Sequence, residues 1–251
     1  EAEAEAALER AAEDVPTPTE PVAGEELRRL WAGGVTFSEP HGAAIADMDG
    51  DGIPDLVAVQ GDILGAAALG VRNILCLTGD DVSQGDHPQA KPVFDLDAVS
   101  LLQIARGMRD QGRYASGRNI DVAPHLFLGA TVNPFVPPFA DRIANLEKKI
   151  EAGAQFIQTQ FCFDVALLEG FMRAVRQREL HRRCRIIVGA GTLGSARALQ
   201  WMATHVPGVH IPQSVLERIG RAADQKAEAR QVCIETVQAV AGIEGVAGIH
   251  L

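Results

Sequence analysis

The sequence predicts an α/β fold of parallel βα units, and three observations carry that reading. From about residue 55 to the end, short apolar runs alternate with segments of helical 3/4 periodicity. Hydrophobic residues make up 47% of the chain but aromatics only 5%. The core must therefore be built from Ala, Val, Leu and Ile, which suits helices packed on a parallel sheet. Finally, the apolar run at residues 73–77 ends abruptly in Thr78-Gly79-Asp80. A buried strand with a carboxylate on its C-terminal loop has this form, and α/β barrels and open α/β sheets bind ligands at that end. Taken alone, Thr-Gly-Asp also fits an ordinary turn.

The elements follow in order. Residues 1–14 are Glu/Ala-rich and helix-prone, with Leu8 the only apolar side chain larger than alanine. Residues 15–22 hold Pro16, Pro18 and Pro21 and read as an extended linker. Residues 23–58 form a short segment around an Asp-rich loop, and residues 59–251 form the main domain. Strands are expected at 56–60, 74–77, 126–130, 156–160, 185–188 and 246–250. Helices are expected at 63–70, 95–110, 141–152, 165–176, 195–205, 212–219 and 224–241. In the helix at 95–110, Leu96, Val99, Leu102 and Ala105 share a face, and Asp95 is the expected N-cap.

Composition excludes several classes. No apolar run reaches the roughly 18 residues that cross a bilayer. Residues 1–60 hold 14 acidic and 3 basic side chains, a net of -11, while the remainder is close to neutral. This gives no support to nucleic-acid binding, which needs a basic patch. None of the four cysteines forms a CxxC pair, which argues against a zinc cluster. Cys76 and Cys162 lie in strand-like apolar runs and read as buried thiols of a cytoplasmic protein.

Three strand ends carry polar groups together. The first gives Thr78 and Asp80. The second gives Thr131 and Asn133, followed by a Pro-rich loop. The third gives Gln158, Thr159 and Gln160, followed by Phe161-Cys162-Phe163-Asp164. Gln158 and Gln160 should share one face by strand alternation. Buried amides without partners cost a few kcal/mol each, on the order given by transfer data. Either they bond inside the fold or they face a ligand.

A separate motif occupies residues 47–55. Asp47, Asp49, Asp51 and Asp55 stand in a DxDGDGxxD pattern that converges carboxylates on a hard cation such as calcium, with Gly52 at the turn. The loop lacks the glutamate that an EF-hand carries at its twelfth position. It resembles an FG-GAP-type calcium loop, one fragment of a propeller blade. A polar Asp/Gly turn is the alternative.

Five ordered segments resemble methylenetetrahydrofolate reductase, most closely its short, catalytic-domain-only, acetogen-type bacterial form. They are QGDILGAAALGVRNILCLTGD, DHPQAKPVFDLDAVSLL, FLGATVNPF, LEKKIEAGAQFIQTQFCFD and VPGVHIPQSVLERI, within residues 60–251. The resemblance implies a (β/α)8 TIM-type barrel with FAD, or FMN, at the C-terminal ends of its strands. It further implies reduction of 5,10-methylenetetrahydrofolate to 5-methyltetrahydrofolate, with NADH or NADPH as donor. The family's Leu-Arg-Gly-Asp segment falls on Leu77, Thr78, Gly79 and Asp80, so Asp80 would tune the flavin electrostatically. The family's arginine is replaced by Thr78. Gln160 falls on the folate-binding glutamine, since an amide can both donate to and accept from a pterin edge. The resemblance also makes Phe163 an expected substrate contact. Phe94, Asp95, Asn133 and Lys149 fall at cofactor positions, Lys149 on a lysine that reaches phosphate or ribose. Without the resemblance, Lys149 reads as a solvated helix lysine and His87 as a surface residue. A zinc-protein partner subunit and a homo- or hetero-oligomer are also implied.

The glutamate of the family's first strand has no secure counterpart. Glu39 bears a faint likeness to it, but only 22 residues separate Glu39 from Asp62, too few for the two intervening βα units. The expectation is therefore a barrel incomplete at both ends, in a fragment, a fusion or an artificial recombination. Three functions compete: the reductase, a non-catalytic flavin- or folate-binding remnant, and a calcium-binding module.

Overall fold

The computed structural model describes residues 55–78, 96–192, 194–206 and 208–251, with side chains from Val59 onward. Five strands alternate with helices: α1 (Asp55–Ala68), β1 (Asn73–Cys76), α2 (Ala98–Gln111), β2 (Phe127–Val132), α3 (Phe139–Ala152), β3 (Phe156–Phe161), α4 (Val165–Gln177), the single turn α5 (Leu180–Arg183), β4 (Arg185–Gly189), α6 (Ala196–His205), α7 (Gln213–Arg221), α8 (Gln225–Ala241) and β5 (Val246–His250). The strands form one sheet in the order β1-β2-β3-β4-β5, every pair parallel. Sequential neighbours joined by right-handed crossovers keep their helices on one side of the sheet. This is an arc of a (β/α) barrel, and among the described residues β1 and β5 are not joined. No helix among them is long and apolar enough to cross a membrane.

The core lies between the sheet and its helices. Leu128, Ala130 and Val132 of β2, Ile157 of β3, and Ile186 and Val188 of β4 point into it. They meet Leu102 of α2, Leu146 of α3 and Met172 of α4, all fully buried. A second, smaller cluster gathers Leu199 of α6, Ile219 of α7, Ala229 of α8 and Ile211, with Phe163 packed against it.

Two expectations are corrected. Residues 56–60 are helical, because α1 runs unbroken from Asp55 to Ala68. Val59, Ile63 and Ala67 recur every fourth residue against the core, a helical stripe. The N-cap of α2 is Asp97, not Asp95. Its carboxylate accepts from the Ser100 N–H at 2.7 Å, and the Ser100 hydroxyl answers the Asp97 N–H at 3.0 Å, which completes a capping box. Asp164, Ser195 and Asp224 cap α4, α6 and α8 in the same way, by accepting a bond from the third helical residue.

Candidate functional site

The face of the sheet away from the helices is set by register. Leu75, Gly129, Phe156 and Arg185 lie in one row, and Thr131, Gln158, Ile187 and Gly248 in the next. Toward the N-terminal ends this face is covered by aromatics. Phe156 lies flat on Gly129 and stacks on Phe127, with centroids 5.3 Å apart. The row above it alternates hydroxyl, amide and aliphatic groups. Leu77, just past β1, is 48% exposed.

β3 departs from simple alternation. Gln158 pairs with Ile187 and Phe161 with Gly189, so three steps on β3 match two on β4. This bulge breaks the strict alternation that would pair Gln158 and Gln160 on one face, and sets Phe161 opposite Gly189. Thr159, 4% exposed, holds the bulge: its hydroxyl donates to the Gln160 carbonyl at 2.8 Å and accepts from the Gly189 N–H at 3.0 Å. The Gln160 carboxamide oxygen accepts from the Phe161 N–H at 2.9 Å. Its NH2 group keeps its donors for other partners, and the side chain is half-buried. His250, at the end of β5, donates from Nε2 to the Thr159 carbonyl at 3.2 Å and stacks near Phe161.

The loops beyond the strands are tied to one another. The Thr78 hydroxyl accepts from the Ala98 N–H at 3.1 Å, joining the end of β1 to the first turn of α2. Asn133 uses both ends of its amide internally. Its oxygen accepts from the Phe135 N–H at 3.1 Å, and its nitrogen donates to the Gly208 carbonyl at 2.7 Å. Phe163 packs into the second apolar cluster. The carboxylate of Asp164 caps α4 with one oxygen and accepts from His210 Nε2 with the other, at 3.3 Å.

Lys149 is not a solvated helix lysine. β1 ends opposite Ala130, so β2 outlasts it, and the Lys149 ammonium reaches the Thr131 carbonyl there at 2.7 Å. Burial pulls its pKa down, the Asp97 carboxylate opposes that, and the Arg142 guanidinium adds to it. Burial pushes the thiols the other way: Cys76 up to about 11, and Cys162 and Cys184 up to about 12. None of the three is a nucleophile at neutral pH.

The structure thus gathers Thr78, Asn133, Gln160 and Phe163 near the C-terminal ends of β1, β2 and β3. Gly79, Asp80, His87, Phe94 and Asp95 lie outside the described residues, as do Glu39, Asp47, Asp49, Asp51 and the side chain of Asp55. The sequence reading named Thr159 as a strand-end polar group but assigned no role to it, to His210 or to His250. His210 lies within the segment VPGVHIPQSVLERI, and its partner Asp164 is 46 residues away.

The sequence profile of methylenetetrahydrofolate reductase matches residues 45–251. The chain belongs to the methylenetetrahydrofolate reductase family. The family match begins earlier than the motifs suggested and takes in the Asp-rich loop at residues 47–55. Among curated proteins, the chain is 29% identical over 179 residues to methylenetetrahydrofolate reductase 2 of Schizosaccharomyces pombe, covering 68% of this chain and 26% of that one. The chain therefore spans about a quarter of that relative's length. Among solved structures, it is similar to an uncharacterized protein from Clostridium thermocellum that binds two copies of 5-methyl-5,6,7,8-tetrahydrofolic acid. That likeness has a TM-score of 0.44 and 17% identity, over 70% of this chain and 64% of the other.

Proposed function

We propose that the chain carries out flavin-dependent reduction of 5,10-methylenetetrahydrofolate to 5-methyltetrahydrofolate, with NADH or NADPH as donor. Family membership supports the reaction class. The observation that carries the assignment within the fold is the half-buried row Thr131, Gln158, Ile187 and Gly248 beside the stacked Phe127 and Phe156. A flavin ring is flat and largely apolar, with one polar edge. A shelf of Leu75, Leu77 and Ile187 beside the Thr131 hydroxyl and the Gln158 amide fits both parts, so these residues would hold FAD or FMN.

The bound flavin supplies the hydride acceptor and donor. The chain's own residues bind and orient. Gln160, with its oxygen already taken by Phe161, offers N–H donors to acceptor atoms on a pterin edge. Phe163 supplies apolar contact. Asp80, two residues beyond Thr78 in the sequence, would supply the negative charge that tunes the flavin electrostatically.

Purified protein should be yellow and should oxidise NADH or NADPH only with methylenetetrahydrofolate present. Asp80→Ala should slow folate turnover on the order of 100-fold, as loss of a preorganised electrostatic group does, with flavin retained. Unchanged folate turnover would refute the role of Asp80. Colour without turnover would favour the binding remnant, and a colourless protein stabilised by calcium would sink both flavin readings.

A further inference from the structure

We infer that residues 208–211 form a strap that sets the substrate end of the site, with Asn133 and His210 as its two positioning residues. This rests on the reading that the C-terminal strand ends hold a folate. The strap belongs to the connection between α6 and α7, yet the loops after β2 and β3 hold it. At one end Asn133 Nδ2 donates to the Gly208 carbonyl at 2.7 Å. The Asn133 oxygen is committed to the Phe135 N–H, so the amide cannot turn over without losing both bonds. At the other end His210 Nε2 donates to Asp164 Oδ2 at 3.3 Å. Asp164 is itself fixed, because its second oxygen caps α4.

Backbone and packing agree with this. Gly208 has φ +80, and a Cβ there would meet Asn133 Nδ2 at 2.5 Å. Only glycine allows both the conformation and the approach. Val209 and Ile211 join the same apolar cluster as Phe163. Along four residues, the first and third bond to the strand-end loops while the second and fourth pack against the cluster. A shift of the strap must therefore displace Phe163 and Asp164, which follow directly after β3 and Gln160.

The test uses the full chain, with hydrogen exchange read across residues 208–211 and steady-state kinetics on methylenetetrahydrofolate. Asn133→Asp keeps the oxygen that accepts from Phe135 but loses the donor to Gly208. His210→Ala loses the bond to Asp164, and His210→Gln restores a donor. Loss of one hydrogen bond is worth about 3- to 10-fold in an equilibrium. Asn133→Asp and His210→Ala should each speed exchange at Val209, His210 and Ile211 by about that factor. Each should raise the folate KM by about 3- to 10-fold with kcat changed less than about twofold, and His210→Gln should recover most of the loss. The double variant should be little worse than the worse single, because both bonds hold one segment.

Unchanged exchange in both singles, or effects that multiply in the double, would overturn the strap. Faster exchange with an unmoved KM would overturn its link to the substrate. In a chain that turns over no folate, which sinks the functional reading alone, exchange and its coupling still decide the strap.

Discussion

Lys149 shows how a single side chain can have a partner that its place in the sequence does not reveal. Helical position alone makes it a surface cation, and family position makes it a phosphate contact. The structure gives its ammonium the Thr131 carbonyl that β1 leaves uncovered. Lys149→Met would strand that carbonyl, at a cost of about 1–2 kcal/mol. The expected result is a lower urea midpoint with flavin content unchanged. An unchanged midpoint with flavin lost would assign the lysine to the cofactor instead. The Asn133 amide, the Asp164 carboxylate and His210 were equally hard to read. Each finds its partner across a different loop, and the separation of 46 residues between Asp164 and His210 leaves no local pattern in the sequence.

At the scale of elements, the strands and helices from β1 to β5, apart from the single turn α5, were legible because apolar spacing records which face is buried. Leu168, Phe171, Met172 and Val175 of α4 fall at helical spacing and are all buried. The first helix was misread in part because Val57 and Val59 suit a strand, although the stripe Val59, Ile63, Ala67 was there to be counted. Asp97 was passed over for Asp95, although Ser100 three residues on marks the true cap. The bulge in β3 was not legible, since it exists only in the register against β4. Gly129 belongs to this scale. A methyl group there would fall inside the ring of Phe156, which is 7% exposed and stacked on Phe127. Gly129→Ala should destabilise the sheet by about 1–3 kcal/mol, as overpacking does, and thermal unfolding would show it. A melting temperature equal to the parent's would mean that the aromatic floor is loose.

For the whole molecule, the buried thiols set an alkaline limit. Cys76, Cys162 and Cys184 have folded values raised from 9.0 to about 11 or 12 by burial. Below pH 9 both states hold the proton, so the thiols leave stability undisturbed. Above it the unfolded chain releases protons that the folded chain keeps, and stability falls as pH rises. The urea midpoint should therefore drop between pH 9 and 11, and Cys162→Ala combined with Cys184→Ala should make that drop shallower. An equal slope in parent and variant would mean that these thiols do not titrate on unfolding.

The bond between Thr78 and Ala98 has a consequence for how this fold can change over time. It fastens both ends of the intervening chain to the barrel wall. Loop-closure entropy rises by only about 0.6 kcal/mol for each doubling of length. The first turn of α2 thus stays pinned to the end of β1 even where the length of chain between them changes.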